Sequence, residues 1–133
     1  MSADSNGADR VPPQAVEVEA AVLGALLLDQ DAISQVVDII DDTDFYRDAH
    51  RKIFQAIISL FERNEPTDLI TLTTELSNRK QLNDVGGAFY LAGLADNVST
   101  AANAEYHANI VHEKAMSRKL ITSSNQIIAR AFD

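Results

Sequence analysis

Three histidines, a run of aspartates and two neighbouring glutamates are the side chains here with the most chemistry to offer. Histidines that share a metal ion on a helix stand at i and i+4, where one turn brings both rings to one side. His107 and His112 are five positions apart and fall on different faces, so a structural or solvent-facing place is expected for each. His50 lies one helical turn after Tyr46 and Arg47 and is expected to hydrogen-bond locally. Asp41, Asp42, Asp44 and Asp48 have the acid density of a calcium loop. They lack the glycine turn and the closing glutamate that would wrap the ion, which leaves a solvated, helix-capping loop. Glu17 and Glu19 fall in a first helical turn, where carboxylates oppose the helix dipole.

Other chemistries fail on residue type. A phosphate-binding loop needs Gly-x-x-x-x-Gly-Lys-Ser/Thr. The glycines are Gly7, Gly24, Gly86, Gly87 and Gly93, and none is followed by lysine, so no ATP site is expected in this segment. With no cysteine there is neither a thiolate metal site nor a disulfide. No Ser-His-Asp or Cys-His grouping is legible, and the expectation is a segment without catalytic, cofactor-binding or metal-binding residues.

Charge narrows the partners. The formal net charge is −9. Residues 1–103 carry 17 acidic against 7 basic side chains, and residues 104–133 carry 3 against 4. Nucleic-acid affinity comes mostly from neutralising phosphates with lysine and arginine, so direct DNA binding by this segment is not expected. No apolar run approaches the roughly 20 residues that span a bilayer, and the polar start has no signal pattern. A cytoplasmic protein is expected.

The elements that must carry these residues read as helices throughout. Met1 to Val11 is a polar leader, expected to be flexible, and Pro12-Pro13 stands just ahead of a helix start. Val16, Ala20, Leu23 and Leu27, with Val22 and Leu26 beside them, predict a buried helix face over Gln14 to Asp29. A shorter helix is predicted from Asp31 to Ile40 with Ile33, Val36, Val37 and Ile40 inward. Arg47 to Asn64 has Ile53, Ile57 and Leu60 on one stripe and Phe54, Ile58 and Phe61 alongside. So wide an apolar face predicts the central helix of the bundle. Asp68 or Thr71 can cap the next helix, which buries Leu69, Leu72 and Leu76 and ends near Lys80. A turn at Asn83 to Gly87 leads to a short helix, Ala88 to Asp96. The fold class is all-α: a small orthogonal bundle of about five short helices over residues 12–98, then one long helix over 99–133.

That last helix, predicted to start at Thr100, is the informative element. No glycine or proline follows Gly93, and about 30 helical residues reach on the order of 45 Å. Its apolar residues come in adjacent pairs: Ile110-Val111, Leu120-Ile121 and Ile127-Ile128. Neighbouring positions lie about 100° apart around a helix, so each pair serves two faces. Tyr106, Ile110, Leu120 and Ile127 tend to one side, and Val111, Ile121 and Ile128 to another. A helix with one neighbour needs only one stripe. The tail Ile127 to Phe132 is too apolar to end free in water, so further chain or another subunit is expected against it.

The blocks, in order, resemble a known family. Pro12-Pro13-Gln14 followed by Glu17-x-Glu19-Ala20-Ala21-Val22-Leu23-Gly24-Ala25-Leu26-Leu27-Leu28-Asp29 looks like the opening of DnaB-type bacterial replicative helicases. Asp44-Phe45-Tyr46-Arg47-x-Ala49-His50-x-x-Ile53-Phe54 resembles their next block. Glu65-Pro66-x-Asp68-Leu69, Gly86-Gly87-Ala88-x-Tyr90-Leu91 and Ala101-Ala102-Asn103-Ala104-x-Tyr106 continue it. The resemblance spans about residues 12–133.

The resemblance implies an N-terminal domain with a helical head and a helical hairpin, of which the long helix is the first half. Hairpins of neighbouring subunits pair, and the domains form a collar on a homo-hexameric ring. The C-terminal helicase-binding region of primase docks there, and helicase loaders act elsewhere or nearby according to species. ATP and Mg2+ belong to a C-terminal RecA-like motor, expected to be absent from this segment. The chain stops at Asp133, where the family would turn into the second hairpin helix, and Ser123-Ser124 put polar residues in mid-arm. The residues expected to meet another subunit or primase are Ile121, Ile127, Ile128 and Phe132. The alternatives are a stand-alone helical adaptor or helix-turn-helix DNA-binding regulator, which the acidic balance counts against, and a small hydrolase with an unrecognised site.

Overall fold

The structure, a computed structural model, describes residues 10–133, so most of the leader expected over 1–11 lies outside the described residues. Those described form six α-helices and one 3-10 turn: α1 Val16–Leu28, α2 Asp31–Val36, the turn Asp42–Asp44, α3 Asp48–Glu62, α4 Leu69–Asn78, α5 Gly87–Asp96 and α6 Ala104–Phe132. Among the described residues there is no strand. The all-α reading holds, with five short helices before a long one.

Local chemistry sets the boundaries. Asp68 caps α4, its carboxylate accepting from the Thr71 amide at 2.8 Å. Asn64 and Lys80 take left-handed backbone angles just past α3 and α4, and the next residues' amides return to Leu60 and Leu76 carbonyls. Gly86 and Gly87, at φ +106° and +77°, turn the chain into α5. Thr100 caps a turn at 101–103 rather than the last helix, which begins at Ala104.

The centre of the bundle is α1, not α3. Helix α1 touches α2, α3, α5 and α6, and Val22, Leu23, Ala25 and Leu26 are all buried on it. Gly24 lets α5 come close, because a Cβ there would run into the Leu94 carbonyl oxygen and the Val98 side chain. Width of apolar face misled: α1 is apolar nearly all round and α3 is two-sided. On α3, Ile53, Phe54, Ile57 and Leu60 enter the core while Ile58 and Phe61 are only half-buried. Val37, expected inward, is exposed because α2 stops at Val36 and the chain turns. Arg63 ties the end of α3 to Glu75 of α4 at 2.8 Å, Arg79 at the end of α4 meets the same carboxylate at 2.7 Å, and the hydrogen bonds from Arg63, then Arg79, hold the Glu75 carboxyl below its ordinary pKa.

Candidate interaction surface

Helix α6 changes character along its length. Ala104, Ala108, Val111 and Ala115 form the i, i+4, i+7, i+11 stripe that meets the head, and all four are buried. Alanines suit this, since short side chains let α6 lie close to α1. The same stripe continues at Arg118 and Thr122, where it turns polar, and every residue from Lys119 to Asp133 is exposed. The head's cover ends there.

Polar contacts fasten the helix at that point. Arg118 donates to the Pro13 carbonyl at 2.8 Å and the Asp44 carbonyl at 2.7 Å, and its guanidinium lies 5.4 Å from the centre of the Tyr46 ring. His112 Nδ1 is 3.2 Å from the Asp44 carboxylate and Lys119 Nζ 3.9 Å. Asp44 is therefore buried and partnered, not part of a solvated loop. Asp41 keeps the expected capping role, accepting from the Thr43 amide at 2.9 Å and from the Thr43 hydroxyl, whose bond lowers its pKa.

Beyond the clamp, the four residues singled out on the arm all face solvent: Ile121 is 47% exposed, Ile127 68%, Ile128 54% and Phe132 87%. Leu120 and Met116 join them. Ile121 and Ile128 share one line, seven positions apart, and Leu120 and Ile127 another. Val111 does not run with Ile121 and Ile128 as expected. It sits about 80° further round the helix, on the head-facing side, and is buried. The exposed apolar face thus points away from the stripe that the head covers.

A second cluster escaped sequence reasoning. Glu19 is buried, and its carboxylate accepts from the backbone amides of Tyr46 at 2.6 Å and Arg47 at 3.4 Å, just ahead of α3. It also meets His50 Nδ1 at 2.8 Å. His50 is fully buried, and its Nε2 lies 2.6 Å from the Tyr90 hydroxyl. Its partners are thus 31 positions back and 40 ahead, not local. Tyr90 in turn accepts from Arg47 at 3.4 Å, and burial raises its pKa, which keeps its proton available to His50. Glu–His–Tyr would be a chemically suggestive order, but Glu19 and His50 have no path to a substrate. The cluster joins α1, α3 and α5. Among the described residues no three His, Cys, Asp or Glu side chains are placed to hold a metal ion, and no helix is long and apolar enough to cross a membrane.

Known proteins share this architecture. A family model described as the DnaB-like helicase N terminal domain matches residues 11–113. The chain is 50% identical over 119 residues to the replicative DNA helicase DnaB of Geobacillus stearothermophilus and 47% identical to the replicative DNA helicase DnaC of Bacillus subtilis (strain 168). Each match covers 90% of this chain and 26% of the relative, so the chain spans about a quarter of their length. The crystal structure of the N-terminal domain of DnaB helicase from Mycobacterium tuberculosis superposes with a TM-score of 0.89 at 42% identity, covering 92% of this chain and 89% of that one.

Proposed function

The chain belongs to the DnaB-like helicase N-terminal domain family, and from that premise we propose that it is the non-catalytic assembly and primase-docking domain of a replicative DNA helicase. The observation that carries this reading is the bare apolar half of α6. Leu120, Ile121, Ile127, Ile128 and Phe132 stand exposed on a helix whose other side is already seated on the head. Covering each at an interface contributes roughly 1.5–3 kcal/mol at most, reduced by the entropic cost of association.

The occupants proposed for that face are the matching helices of another subunit, in a hexamer built from dimers, and the helicase-binding region of primase. A helicase loader is a further partner. The head's acidity keeps DNA away from this domain. ATP and Mg2+ do not fit the residues present, since no glycine is followed by lysine; they belong with the motor of the relatives, acting at the replication fork in the cytoplasm.

The test is Ile121→Asn in a helicase bearing this domain. Primase affinity or hexamer stability should fall by about tenfold, as expected for losing one apolar anchor. The melting of the isolated domain should stay put, because Ile121 lies outside the head. Wild-type assembly and wild-type primase binding together would sink the proposal, and so would unfolding of the head.

A further inference from the structure

The surplus apolar width of α3 has a destination outside the core. Phe54, Gln55, Ile58, Ser59 and Glu62 succeed one another along one side of α3, over two turns or about 12 Å. They border a groove of about 310 Å³ whose other wall is the link that follows α2, from Val37 to Asp41, and Asp42 of the 3-10 turn. Val37, Ile40, Phe54 and Ile58 give it an apolar lining. Ile40 and Phe54 are almost wholly buried at its base, Ile58 is half-buried, and Val37 is 40% exposed at its lip. The polar rim is acidic: Asp41, Asp42 and Glu62. Gln55 donates to Asp42 at 2.7 Å, which fixes that carboxylate at the edge. Asp41 stays ionised, because the Thr43 hydroxyl lowers its pKa. Lys119 is the cation felt at Asp41, and its own ion-pair partner is the buried Asp44.

We infer that this groove between α3 and the segment from Val37 to Asp42 is a docking site for a basic amphipathic helix of a partner protein, with aliphatic anchors on the floor and lysine or arginine against the rim. Charge and shape select that occupant. Nucleic acid and anionic lipid are repelled by three carboxylates. An acidic or neutral apolar helix would bury the rim without pairing it, at a desolvation cost. A helix with leucines at i and i+4 and cations between them fills two turns and neutralises the edge. The site lies on the head and needs none of the exposed residues of α6.

The probe is a synthetic Leu-Lys amphipathic peptide of about 18 residues, long enough to hold a helix in water. A Leu-Glu peptide with the same leucine stripe is its control. The full 133-residue chain, labelled with nitrogen-15, is titrated with each at near-physiological salt. The Leu-Lys peptide should give saturable amide shifts concentrated at residues 37–42 and 54–62, and the Leu-Glu peptide none there. Ile58→Asp should weaken binding by about tenfold, as for loss of one anchor. Because Ile58 is half-buried, Val37→Asp, at an exposed position, is the companion variant and should weaken it too. Asp42→Asn with Glu62→Gln should lower the affinity and flatten its salt dependence. Shifts centred on residues 116–132, shifts spread over every acidic face, equal binding of both peptides, or wild-type affinity in Val37→Asp would each overturn the inference. So would self-association of the chain abolished by Val37→Asp, since a second copy would then be the occupant.

Discussion

Glu17 and Glu19 look interchangeable on paper, two carboxylates in the first turn of one helix. In space Glu17 faces water, while Glu19 serves the backbone amides leading into α3 and one nitrogen of His50. A proton on His50 Nδ1 lets that nitrogen donate to Glu19 and leaves Nε2 to accept from Tyr90. Each hydrogen bond in the chain from Arg47 to Glu19 then has a donor and an acceptor. Removing the carboxylate strands the buried His50 ring and two part-buried backbone hydrogen bonds at once, and such groups cost far more unpaired than they gain when paired. Glu19→Ala should therefore lower unfolding stability by about 3 kcal/mol, read from urea denaturation. Glu17→Ala should stay within about 0.5 kcal/mol. Similar losses for the two would refute the cross-helix role. Nothing in the spacing announced it, because the three partners of Glu19 lie 27 to 31 positions away; the only signal was a carboxylate placed among the apolar residues of α1.

Helices were legible wherever their own residues dictate them. The Asp68 cap, the Gly86-Gly87 turn and the burial of Ile53, Ile57, Leu60, Leu72 and Leu76 all follow from local pattern. What periodicity does not carry is which helix the others surround. Apolar width suggested α3, yet α1 takes the centre because Gly24 permits a close approach that a wide stripe alone does not. Gly24→Ala tests this directly. In an exposed helix the change would gain roughly 1 kcal/mol of helix propensity. Here the added methyl meets the α5 backbone at Leu94 and the Val98 side chain, and the expected result is a net loss of about 1–3 kcal/mol from overpacking. A thermal midpoint at or above that of the parent chain would show that α5 can step aside and that close packing is not what centres α1.

At the scale of the whole molecule, a helix of 29 residues must keep one direction although every residue from Lys119 onward is exposed. The alanine stripe sets where α6 lies on the head, but small smooth side chains resist pivoting weakly. Direction must come from contacts at the last point of support. Arg118 supplies them by bridging two separate segments, the Pro13 carbonyl before α1 and the Asp44 carbonyl in the 3-10 turn, while His112 and Lys119 approach the Asp44 carboxylate. If arms from two subunits are to meet along their apolar faces, each must leave its head at a fixed angle, and ordering that angle in advance lowers the entropic cost of association. The chain has no cysteine, so spin labels at Ser77→Cys on α4 and Asn125→Cys on α6, both exposed positions, report that angle cleanly. The parent should give one narrow distance distribution. Arg118→Met keeps a long aliphatic stem but removes both donors, and it should broaden the distribution while lowering stability by no more than about 1–2 kcal/mol. An unchanged narrow distance in the variant would mean that helix packing alone aims the arm, and the clamp would then be ornamental to assembly.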